Sequence, residues 1–192
     1  MNICLFGASS ERLDACYLED AYRFGLLLGQ NGHCLVFGGS RNGLMGACAR
    51  GVRESGGETV GIAPRFFEEA DVLDPLCSRF IYTETMAQRK SAMEDEAESF
   101  AVLPGGIGTL EEFFEVLTLR QLGRHGKPIV LLNTAGYYDA LAAMLAQAAE
   151  KGFVSRGVFD KLRLCDSPEE ALAALTADPA VSGQGSLMDY WR

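Results

Sequence analysis

Three times in this chain a short apolar run ends in a turn of glycines and other small residues, then gives way to helical periodicity. The runs close at Gly7-Ala8-Ser9-Ser10, at Gly38-Gly39-Ser40 and at Gly105-Gly106-Ile107-Gly108-Thr109. Apolar strands that alternate with amphipathic helices build a parallel sheet covered on both faces. The patterning predicts strands over 2–6, 34–37, 59–62, 80–82, 100–103, 128–132 and 162–165, and helices over 15–28, 44–54, 86–97, 109–122, 137–151 and 167–175. Ser167 and Pro168 have the residue types of a helix cap and first turn. The stretch 63–78, with two prolines and no period, reads as a loop or short helix over one end of the sheet. The expected fold is α/β, a Rossmann-like doubly wound parallel sheet with helices on both faces. With 192 residues, 48% of them hydrophobic, the chain is long enough for one good core. We expect a single domain over 1–178 and a C-terminal tail over 179–192, in which Trp191 is isolated.

The third turn carries the most chemistry. Glycines let a backbone approach an anion closely, and the free N–H groups at the start of the next helix favour negative charge there. Yet Glu111 and Glu112 follow within the first turns of that helix. A site that binds an anion and also presents carboxylates suits a substrate with a phosphate and a centre that becomes positive during reaction. A nucleoside 5′-monophosphate cleaved at its N-glycosidic bond has both. A lone glycine turn serves equally well as a tight connection without ligand, but three at the same sheet edge point to a nucleotide pocket. The dinucleotide fingerprint is not met, because the first turn lacks its glycines and no acid closes the second strand. No Gly-Lys-Ser/Thr follows any turn, so the P-loop is absent too.

Lys and Arg number 17 against 26 Asp and Glu, a formal net charge of −9, which argues against partners that need clustered positive charge, nucleic acid and acidic membranes among them. The six cysteines form no C-x-x-C pair, and the chain enters an apolar strand without a signal-peptide pattern. These features lead us to expect a cytoplasmic protein with reduced thiols. His33 and His125 do not make a metal pattern, no metal is expected, and no serine or cysteine sits in a nucleophile elbow.

By charge pattern alone, the helix around Met86-Ala87-Gln88-Arg89-Lys90 reads as a solvated surface laced with ion pairs. Joined to Pro104-Gly105-Gly106-Ile107-Gly108-Thr109-Leu110-Glu111-Glu112, however, this segment closely resembles the Lonely Guy family of cytokinin riboside 5′-monophosphate phosphoribohydrolases, whose members were often misnamed lysine decarboxylases. The likeness continues through Gly39-Ser40-Arg41-Asn42-Gly43-Leu44-Met45-Gly46, Gly61-Ile62-Ala63-Pro64, the run 121–128 and Leu132-Asn133-Thr134-Ala135-Gly136-Tyr137-Tyr138, and spans roughly 2–175.

The resemblance implies catalysis by Arg89 and Glu112. It implies a substrate site formed by Lys90, Gly105, Gly106, Ile107, Gly108, Thr109, Leu110, Glu111 and Thr118, with Ser9, Gly39 and Ser40 as neighbours. Asp71 stands where the family usually has a substrate-contacting glutamate. Ala87 replaces the histidine of M-H-x-R-K, and Leu119 replaces a tryptophan of many plant members; both alter pocket walls and leave the acid and the arginine in place. Glu112 would face the cationic ribosyl centre and orient water, Arg89 would fix the substrate, and the glycine turn with Thr109 would hold the 5′-phosphate. Neither metal nor redox cofactor is expected, and the family points to a homodimer. The main alternative is a non-hydrolytic nucleotide or cofactor carrier, such as the molybdenum-cofactor carriers, which share glycine turns. A nicotinamide-dependent oxidoreductase comes third, and a decarboxylase last, since nothing resembles a pyridoxal-phosphate lysine site.

Overall fold

A computed structural model describes residues 1–68, 71–159 and 162–177. Strands β1 (Asn2–Phe6), β2 (Cys34–Phe37), β3 (Thr59–Pro64), β4 (Arg79–Thr83), β5 (Ser99–Val102), β6 (Ile129–Leu132) and β7 (Leu162–Cys165) form one sheet. Among the described residues the α-helices are α1 (Ala15–Gln30), α2 (Gly43–Glu54), α3 (Met86–Glu96), α4 (Ile107–Gln121), α5 (Asp139–Glu150) and α6 (Pro168–Thr176). None of them is long and apolar enough to cross a membrane. The tail expected over 179–192, with Trp191, lies outside the described residues.

Every strand pairing is parallel, in the order β4-β3-β2-β1-β5-β6-β7. The chain winds outward from β1 to β4, returns to place β5 beside β1, and winds outward the other way. Winding therefore reverses between β1 and β5, and the crevice above such a reversal is where doubly wound sheets bind ligands. The two-residue period sorts the side chains. Cys4, Phe6, Phe100 and Val102 pack under the helices α3, α4 and α5, while Ile3, Leu5, Ala101 and Leu103 pack under α1, α2 and α6. Both faces are thus sealed, as a parallel sheet requires, and the carboxyl edge is left for chemistry.

Three details differ from the patterning. The helix expected over 109–122 starts two residues earlier, because Gly106 takes the N-cap position. The helix expected over 137–151 starts at Asp139 and follows a 3-10 turn, Thr134–Gly136, with Ala135 and Gly136 in the left-handed region at φ 53° and 73°. That pair of positive φ values breaks helical continuity at a point where composition alone favours helix. In the unpatterned stretch, β3 runs on to Pro64 and a 3-10 turn follows at Arg65–Phe67. Ser167 caps α6 as its sequence suggests, its hydroxyl accepting the Glu170 N–H at 3.3 Å.

Candidate active site

The three small-residue turns meet above the β1/β5 crevice. The Ala8 N–H donates to the Pro104 carbonyl at 3.1 Å, and the Leu44 N–H donates to the Ala8 carbonyl at 2.9 Å, so the first turn is bonded to the residue that leads into the third and to the start of α2, which follows the second. Between them lies a cavity of about 640 Å³, to which Gly7, Ser9, Gly38, Ser40, Gly106 and Thr109 all contribute. At its β5 side α4 begins. Gly106 has no side chain to cap the helix, and a Cβ added at Gly106 or Gly108 would meet nothing within 4 Å, so the first N–H groups of α4 open on the cavity. Gly105 is glycine for a different reason: a Cβ there would come within 2.2 Å of the Thr109 hydroxyl oxygen, which tucks under the turn.

Arg89 and Glu112 also line this cavity. Arg89 is one of two buried residues on the otherwise polar α3. Its Nε donates to the Ile62 carbonyl at 3.2 Å, and its guanidinium donates to the Glu112 carboxylate at 2.8 Å; the two side chains are 10% and 12% exposed. Gly38 makes room for this arm, since a Cβ there would sit 2.3 Å from the guanidinium. Burial pushes the Glu112 carboxyl above the ordinary carboxylate range, and the Arg89 charge and hydrogen bond pull it back. A carboxylate held next to a cation, with both side chains about nine-tenths buried, is a preformed electrostatic surface for a centre that turns positive.

Of the other expected site residues, Ser9, Ser40, Gly106, Gly108, Thr109 and Glu111 line the same cavity. Gly39 is buried behind it at φ 73°. Lys90 lies beside the cavity and donates to Glu111 and to Glu115 at 3.0 Å, which ties α3 to α4 and raises the pKa of the ammonium. Leu110 packs against the core, Ile107 is exposed, and Thr118 is exposed two turns beyond the cavity on α4. Asp71 borders a neighbouring cavity of about 300 Å³ and pairs with Arg41 at 2.8 Å. It belongs to a strap fastened to the second glycine turn: Arg41 N–H donates to the Val72 carbonyl at 2.9 Å, and Asp74 N–H to the Gly39 carbonyl at 2.7 Å. The strap brings Val72 and Leu73 to the cavity, where Met45, Phe67 and Met86 complete an apolar wall. Patterning missed this wall because its residues come from α2, the 3-10 turn, the strap and α3, with no shared period.

Residues 45–175 match the family described as possible lysine decarboxylase. A relative from Mycobacterium marinum, named cytokinin riboside 5′-monophosphate phosphoribohydrolase, is 40% identical over 157 residues, covering 82% of this chain and 84% of its own. The chain belongs to this family. Within it, the Arabidopsis thaliana protein named cytokinin riboside 5′-monophosphate phosphoribohydrolase LOG2 is 39% identical over 153 residues, covering 80% of this chain and 72% of its own. The Lonely Guy resemblance carried by the arginine and glycine motifs is thereby confirmed. Among solved structures, the molybdenum cofactor carrier protein MCP from Chlamydomonas reinhardtii superposes with a TM-score of 0.70, at 21% identity, over 90% of this chain and 94% of its own. The molybdenum cofactor binding protein from Rippkaea orientalis gives 0.68 at 21% identity, over 89% and 92%. These two share the Rossmann-like fold.

Proposed function

We propose that the protein hydrolyses the N-glycosidic bond of a purine nucleoside 5′-monophosphate, AMP or a cytokinin nucleotide, to free base and ribose 5-phosphate. The observation that carries this reading is the buried Arg89–Glu112 pair facing the same cavity as the open N-terminus of α4. The 5′-phosphate binds the N–H groups from Gly106 to Thr109, supplying binding energy remote from the bond that breaks. The base lies toward the apolar wall of Met45, Phe67 and Met86. As the C1′–N bond breaks, its electron pair leaves on the base nitrogen, which takes up a proton. Glu112 stabilises the oxocarbenium-like sugar and accepts a proton from the water that bonds to C1′. Arg89 holds that carboxylate in place. Support comes from relatives near 40% identity that are named phosphoribohydrolases.

In this reading the protein is a cytoplasmic homodimer whose residues 1–178 make one catalytic unit. The face of α4 that carries Ile107, Phe114 and Leu122, respectively 83%, 38% and 66% exposed, favours a second copy as its cover. Thr118 shares that face, so it serves a site only across such an interface. The carrier reading rests on the fold alone and has no use for the Arg89–Glu112 pair. Incubating the protein with AMP and with isopentenyladenosine monophosphate, followed by chromatography, separates the two: we expect free base and ribose 5-phosphate, and a carrier would return the nucleotide bound and intact.

A further inference from the structure

The glycine turn that opens α4 has an unusual pattern of support. Four consecutive carbonyls, those of Leu103, Pro104, Gly105 and Gly106, each accept a hydrogen bond. Pro104 receives the Ala8 N–H, and Gly106 receives the Leu110 N–H, the first bond of the helix. The other two are held by hydroxyls of adjacent tyrosines that sequence patterning assigned no role: Tyr138 donates to the Leu103 carbonyl at 2.7 Å and Tyr137 to the Gly105 carbonyl at 2.6 Å.

Two consecutive tyrosines reach the turn because the backbone before them is bent. Ala135 and Gly136 take left-handed conformations, and the Asn133 side chain braces the bend, accepting the Tyr138 N–H at 2.8 Å and donating to Asp139 and Asp166 at 2.9 and 3.0 Å. A left-handed alanine costs on the order of 1 kcal/mol, which a connection between β6 and α5 has no need to carry. Tyr138 is buried, and Tyr137 stacks edge-on against both Tyr138 and Tyr17, with ring centroids 4.9 and 6.1 Å away.

The Gly105–Gly106 peptide is the one whose orientation matters most. Its N–H belongs to Gly106, which lines the cavity, and its carbonyl is the one Tyr137 holds. In a trans peptide the N–H and C=O point in opposite directions, so fixing the oxygen fixes the direction of the N–H. With glycine on both sides that peptide has no side chain of its own to bias its orientation. A turned peptide would direct a carbonyl oxygen toward the place an anion must occupy. We propose that Tyr137 is a positioning residue for the substrate phosphate: its hydroxyl anchors the Gly105 carbonyl and thereby holds the Gly106 N–H toward the cavity, with Tyr138 anchoring the strand end behind it. This rests on the reading of the glycine turn as the phosphate site.

Tyr137→Phe removes the hydroxyl and keeps the ring, and Tyr137 is 42% exposed, so the variant should fold, its melting temperature lower by no more than the about 2–4 °C that one lost hydrogen bond costs. The test is calorimetric titration of wild type and Tyr137→Phe with two probes, ribose 5-phosphate, which carries the phosphate, and adenosine, which lacks it. We expect the variant to lose about tenfold in affinity for ribose 5-phosphate, or about 1.4 kcal/mol, with adenosine affinity within about twofold of wild type. An unchanged affinity for ribose 5-phosphate, or equal losses for both probes, would overturn the positioning role and leave the phosphate site standing. A wild type that binds no ribose 5-phosphate would overturn the phosphate site, and Tyr137's role with it.

Discussion

Glu112 and Arg89 hold opposing influences in one place. Desolvation favours the neutral acid, and the guanidinium 2.8 Å away favours the carboxylate. The net shift is upward from 4.5, so the folded protein keeps this proton to higher pH than the unfolded chain does. The corresponding stability is present below 4.5 and is lost as pH rises through the folded value. For activity the sign is opposite: a reaction that needs the carboxylate gains with pH across that window. A carbon-13 titration of the Glu112 carboxyl should therefore show a midpoint above 4.5, and Arg89→Met should move it further up. A midpoint that falls in Arg89→Met would mean that the pair is not coupled as described. Glu112 was legible in the sequence through its place after the glycine turn. Arg89 was not legible from charge pattern, because a helix with exposed neighbours at Gln88 and Ser91 gives no sign that one arginine turns inward. Its burial depends on Gly38 and the Ile62 carbonyl, which lie 51 and 27 positions away in the chain and become neighbours only through the sheet.

At the scale of elements, α3 needs most explanation, since it carries Arg89 yet buries only Arg89 and Met93. Its ends are therefore fastened polar group by polar group. Thr85 and Gln88 form a capping box, each side chain accepting the other's backbone N–H at 3.2 Å, and Lys127 donates to the Glu94 carbonyl in the last turn at 2.6 Å. Thr85→Ala should cost about 1 kcal/mol, a fall of about 2–4 °C in melting temperature for a domain of this size; calorimetry showing no change would mean the cap is idle. The strands and most helices were legible because continuous apolar runs and helical stripes report burial locally. The strap at 71–74 and the bent start of α5 were not, since both are set by hydrogen bonds to distant partners, Gly39 and Arg41 for the strap, Asp166 for the bend.

For the whole molecule, the doubly wound topology explains why chemistry gathers at one edge: winding reverses between β1 and β5, and the turns after β1, β2 and β5 converge above the gap. The face of α4 that carries Ile107, Phe114 and Leu122 starts at that edge and runs the length of the helix away from it. We expect sedimentation to give about twice the chain mass of 20.8 kDa, and the pair Phe114→Asp and Leu122→Asp to give the single-chain mass. A wild type that sediments as a single chain at all concentrations would contradict the homodimer. The most direct test of the account is a single-turnover measurement of AMP cleavage by wild type and Glu112→Gln, a change that keeps the side chain's shape and its ability to accept from Arg89. AMP affinity should stay within about threefold of wild type, and the rate of base release should fall by about 10²–10⁴. A Glu112→Gln protein that releases adenine as fast as wild type would contradict it.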